Sequence, residues 1–131
     1  MRFVPLLLLM ACTANPSGAS RLDRVPAGEW GGEHVRLTVE DGGGKVEFDC
    51  AHGSLDAPLT LDPEGRFDVP GRLAFEGGPT RRGEAENARP ARYRGQIDSG
   101  RMTLEVTLES GESAGRFSLA RNGPARLVKC R

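Results

Sequence analysis

Gly28-Glu29-Trp30-Gly31-Gly32, with the run over residues 33–39 that leaves it, carries the reading that decides the fold. It holds the one tryptophan of the 131 residues. From here side chains alternate at every second position, not every third or fourth. Val35, Leu37 and Val39 are separated by Arg36 and Thr38, as in a strand with one buried face. Asp41-Gly42-Gly43-Gly44 turns the chain, and Val46, Phe48 and Cys50 continue the apolar face. Setting Val39 against Val46 and Leu37 against Phe48 keeps that face whole. The same register sets Val35 opposite Cys50 and Glu33 opposite His52.

Working outward, Leu59 and Leu61 predict a short third strand before the turn Asp62-Pro63-Glu64-Gly65. The fourth alternates most clearly. Phe67, Val69, Gly71, Leu73 and Phe75 point inward, and Arg66, Asp68, Arg72 and Glu76 outward. Pro70, on the outward phase, predicts an edge or a bulge. A polar insertion follows from Gly78 to Pro90. Strands at 93–97, 102–108, 115–119 and 127–130 complete eight, mostly joined by tight turns. The expected fold class is all-β, an eight-stranded antiparallel up-and-down barrel whose closure removes exposed edges. Eight strands enclose room for side chains or one small ligand, and the nineteen inward side chains are expected to fill most of it.

Ahead of the barrel, Arg2 precedes Phe3-Val4-Pro5-Leu6-Leu7-Leu8-Leu9-Met10. This run is shorter than the ~20 residues of a bilayer span and suits a signal-peptide core. The expected divisions are a signal peptide over 1–11, a lipidated N-terminus with a flexible tether over 12–27, and the barrel over 28–131. Leu9-Met10-Ala11-Cys12 resembles the lipobox of bacterial lipoproteins. That resemblance implies diacylglycerol on the Cys12 thiol, cleavage before it, and membrane attachment through the lipid. In a Gram-negative cell, Thr13 stands where retention in the inner membrane is associated with aspartate, and the resemblance then implies the outer membrane. Cys50 and Cys130, an even pair after an export signal, are expected to form a disulfide. Strands two and eight flank strand one, so the bond requires Cys130 to curl past the ladder across the barrel end.

Gly28-Glu29-Trp30, opening such a meander, resembles the G-x-W signature of the calycins, the lipocalin and avidin group. The resemblance implies that Trp30 plugs the closed end and that a late arginine, with Arg116 and Arg131 nearest, packs on it. Trp30 is out of phase with Val35 unless Gly31-Gly32 hosts a bulge. The layout also resembles uncharacterised bacterial exported proteins with a Phe-Asp-Cys-Ala-His-Gly segment, here Phe48 to Gly53, which implies no activity. More loosely it is similar to barrel-shaped bacterial protease and lysozyme inhibitors, which are also lipoproteins.

Charge and residue inventory narrow the function. Lys+Arg and Asp+Glu are equal at 18 each, so the composition offers no basic field for nucleic acid. There are only two histidines, and no catalytic role and no cofactor are expected. A zinc site would need His52, Glu33 and Asp56 to converge with Cys50 free, and Cys50 is expected to pair with Cys130, so no metal is expected. The long polar connection is uncommon unless it functions or is disordered. Arg81, Arg82 and Arg89 on it, with Trp30, His52 and Tyr93, are the expected binding residues, the connection emerging from the rim that carries Trp30 and His52. The expected role is an exported, lipid-anchored envelope protein that binds an envelope or host protein through that rim and the long connection, hydrolase inhibition being one form. Alternatives are a calycin-type binder of a small hydrophobic ligand and a structural lipoprotein without a specific ligand.

Overall fold

The computed structural model describes residues 23–76 and 88–130. Cys12, Arg81, Arg82 and Arg131 lie outside them. Eight strands run in chain order: β1 Gly28–Gly32, β2 Val35–Glu40, β3 Gly43–Phe48, β4 Ala51–Leu55, β5 Arg66–Phe75, β6 Ala88–Asp98, β7 Arg101–Leu108 and β8 Ser113–Arg121. Each pairs with the next antiparallel, and β8 returns to β1, closing the barrel. The all-β up-and-down barrel expected from the alternation is the observed fold.

Strand membership differs from the expectation at three places. The glycine-tryptophan stretch is itself β1, joined to β2 by the two-residue turn Glu33-His34, with Gly32 opposite Val35. Trp30 therefore reaches the core without a bulge, because a turn separates its phase from that of Val35. The strand after β3 is Ala51–Leu55, not the run around Leu59 and Leu61. Those leucines instead meet the segment before β1, where the Val25 amide donates to the Leu59 carbonyl at 3.0 Å and the Leu61 amide to the Asp23 carbonyl at 2.9 Å. The packed chain thus starts before residue 28, with Val25 only 4% exposed. Finally, residues 127–130 are not a strand; β8 has already taken the place beside β1.

The β2–β3 register also moves by two. Val39 faces Gly44, Leu37 faces Val46 and Val35 faces Phe48. A two-residue turn at Asp41-Gly42 draws Gly43 and Gly44 into β3, where a side chain at Gly43 would collide with the Leu55 carbonyl. A shift of two preserves the inward set, so the predicted core survives the error. Pro70 lies inside β5, not at an edge. Its carbonyl accepts from the Asp56 amide at 2.8 Å, just beyond the last β4 pair, Leu55 with Gly71. The donor it lacks faces a side where no strand continues.

The core fills the middle of the barrel and one end, here called the floor. Trp30, Leu37, Leu73, Tyr93, Met102 and Leu104 are each at most 1% exposed. Val25 and Leu59 seal the floor, and the Trp30 indole N–H donates to the Pro26 carbonyl there at 3.3 Å. Trp30 thus points away from His52, correcting the expectation that they share a rim. The ladder sets Arg121 opposite Trp30, whereas Arg116 faces Glu105.

Candidate functional site

The opposite end, the mouth, is assembled by the turns 33–34, 49–50 and 109–112 together with the ends of β5 and β6. Its inward positions are Phe48, Ala51, Leu73, Phe75 and Phe117. Phe48 and Phe117 pack with ring centroids 4.7 Å apart. Phe75, expected in the core, is 55% exposed although its phase is inward, since it stands above the last filled layer. The three phenylalanines, with Leu73, Ala51, Ala114, His34 and the Asp49-Cys50 turn, line an open cavity of about 230 Å³. The expected filling is therefore incomplete at this end.

The lip of the mouth is polar and tied to the C-terminal tail. After β8 the chain turns at Asn122-Gly123 and climbs the outside of β1. A side chain at Gly31 would overlap the backbone at Gly123, Pro124 and Ala125, so the bare glycine admits the tail. Arg126 exchanges backbone bonds with the β1–β2 turn: its amide donates to the Gly32 carbonyl at 3.1 Å and its carbonyl accepts from the His34 amide at 2.8 Å. Asp49 is the fastening point. Its side chain accepts from the Val128 amide at 2.8 Å and meets His34 Nδ1 at 2.6 Å, and its carbonyl accepts from the Cys130 amide at 3.0 Å. Beside it Cys50 and Cys130 form a disulfide with Cα atoms 5.1 Å apart. Cys130 does curl past the ladder, as the bond required.

A second fastening lies on the outer side of the lip. Lys129 Nζ donates to the Phe48 carbonyl at 2.8 Å and pairs with Glu76 at 3.0 Å, and Glu76 also meets His52 Nδ1 at 2.8 Å. Both carboxylates are held below the usual range. For Asp49 the chief cause is the Val128 amide, aided by His34, and for Glu76 it is the His52 hydrogen bond, aided by Lys129.

The expected binding residues separate. His52 is half-buried at the lip, and Arg89 is exposed at the start of β6 opposite Leu73, so both border the mouth. Trp30 and Tyr93 do not: both are sealed in the core and present no surface to a partner. Tyr93 donates its hydroxyl to the Arg72 carbonyl at 2.7 Å, and burial pushes its pKa up. The space for its ring comes from Gly71, where a Cβ would stand 2.7 Å from Tyr93 Cε2. Among the described residues, no three His, Cys, Asp or Glu side chains are grouped to hold a metal ion. Phe75 and Phe117 were missed as site residues because their inward phase reads as core. The available signal for Phe75 was position, as the last residue of β5 at the mouth, whereas Phe117 lies mid-strand in β8 and gave none. Comparison with protein families, with curated proteins and with solved structures gave no significant match.

Proposed function

We propose that this chain is an exported, lipid-anchored envelope protein that acts by binding, with its open mouth as the docking surface for a protein partner. One observation carries the reading: inward-phase Phe75 is 55% exposed beside Phe48 and Phe117. At about 230 Å³ the cavity is smaller than the roughly 300–1,000 Å³ of small-molecule sites. It suits one inserted apolar side chain. The polar lip of His34, Asp49, His52 and Glu76 surrounds it as a wet rim surrounds an interface anchor. Cys12 supplies the membrane tether, and inhibition of an envelope hydrolase is one outcome of such docking.

A photo-crosslinking phenylalanine analogue at position 75 tests this in the native envelope. The expected product is a discrete protein adduct that Phe117→Asp abolishes. An adduct with lipid or another small molecule instead would replace the reading with that of a small-ligand binder.

A further inference from the structure

The equal numbers of acidic and basic residues conceal a segregation that only the folded barrel shows. On the outward phase of β5 to β8 stand Arg66, Arg72, Arg92, Arg94, Arg101 and Arg116, all exposed. Against these six arginines the same surface carries three carboxylates, Asp68, Asp98 and Glu105, an excess of three positive charges. The outward phase of β1 to β4 has Arg36 and Lys45 against Glu29, Glu40 and Glu47, an excess of one negative charge. Further acids, Asp62, Glu64, Glu109 and Glu112, sit in the turns at the two ends, so the positive field belongs to the wall between them.

Asp68 is already shared, by Arg92 Nε at 2.7 Å and Arg94 Nε at 3.3 Å. Arg66 and Arg116 have no carboxylate within ion-pair distance among the described residues. Both border, with Arg94, Gln96, Thr103 and Glu105, a cleft of about 140 Å³. That is the volume of about four or five waters, enough for a phosphate group. Guanidinium forks are the side chains best matched to phosphate oxygens.

We propose that the outer wall of β5–β8 binds the phosphate-bearing headgroups of an anionic membrane surface, laying the barrel on its side against the bilayer. The proposal rests on the lipid-anchored reading of Cys12 and is independent of the mouth. The diacylglycerol proposed at Cys12 keeps the barrel near a bilayer, and a basic wall adds attraction to its anionic lipids. Nucleic acid fits the wall less well. It has no helix to enter a groove and no exposed aromatic side chain among its arginines, Tyr93 being buried beneath it.

The test uses residues 12–131 with Cys12→Ser, which keeps every described strand and removes any acyl contribution. Sedimentation with vesicles of phosphatidylcholine alone, and of an equal mixture with phosphatidylglycerol, reads binding directly. Binding is expected only to the anionic vesicles, and is released as salt rises from about 0.05 to about 0.5 M. Each arginine neutralised should cost about fivefold, so R66Q with R116Q weakens binding roughly 25-fold. R36Q with K45Q on the opposite wall leaves it unchanged. Equal binding to neutral vesicles, no binding to either, or an undiminished R66Q/R116Q variant with unaltered thermal unfolding would overturn the proposal. So would two competition results: displacement by inorganic phosphate beyond that by chloride at matched ionic strength, which assigns the cleft to free phosphate, or tighter binding of a single-stranded oligonucleotide. Crosslinking from position 75 should persist in R66Q/R116Q, so loss of the wall and loss of the mouth are told apart.

Discussion

Asp49 ties the β1–β2 turn and the tail to the lip at one position, and its chemistry makes a pH prediction. Its carboxyl titrates lower in the folded chain than in the unfolded one, chiefly because the Val128 amide donates to it, and Glu76 behaves alike through His52. Their stabilisation is therefore present above the unfolded carboxyl pKa values and disappears as pH falls through the lower folded ones. Asp49→Asn should reduce stability in urea melts at neutral pH, and the gap from the wild type should narrow in melts taken to acid pH, below the ordinary carboxyl range. Equal gaps at both would show that the charge is irrelevant. Within the core, Tyr93→Phe removes a buried hydroxyl bond to Arg72 and should cost about 1 kcal/mol in the same melts. Gly71→Ala places a methyl against the Tyr93 ring and the Ser54 carbonyl, and should cost about 1–3 kcal/mol. None of these roles is legible in the sequence. Asp49 reads there as a polar residue between two apolar strands, because its partners, His34 and Val128, are 15 and 79 residues away.

Among the elements the tail has the most unusual position. Over residues 122–130 it leaves the sheet, covers Gly31 and is fastened at the far lip by Asp49, Lys129 and a disulfide spanning 80 residues. On the chain-entropy estimate a loop of that size contributes about 4–5 kcal/mol. Replacing both cysteines, C50S with C130S, should lower the urea midpoint by a corresponding amount. It should also expose the Arg126 and Val128 amides to hydrogen exchange while the β5–β6 amides stay protected, and uniform loss of protection would contradict a local fastening. Leu127 and Val128 resemble a strand end because alternation reports apolar spacing and not which neighbour is free. The same ambiguity placed a strand at Leu59 and Leu61. Both carry the right side chains but serve as the floor's plug, where the segment before β1 supplies their hydrogen bonds.

At the scale of the whole molecule the barrel is unevenly closed. β5 and β6 pair over nine positions, whereas β1 and β8 pair over two, Trp30 with Arg121 and Gly31 with Ala120. The β1–β8 seam is therefore the expected site of first opening. Native-state hydrogen exchange should find the Gly31 and Ala120 amides opening at lower free energy than those of Val69 and Tyr93. Simultaneous opening of all four would mean that the tail makes the seam as strong as the wall. Alternation along each segment was enough to specify an all-β chain with one oily face per strand. It tolerated a two-residue register error because parity alone sorts side chains inward or outward. It also allowed a Cys50–Cys130 bond by bringing the second cysteine's segment to the right region. What folding alone decided were the contacts between distant segments: which strand closes on β1, where the core stops short and leaves Phe75 in the mouth, and which arginines share a wall. Those depend on how a closed ring of unequal strands fills its interior, and periodicity within one strand contains no term for its neighbours.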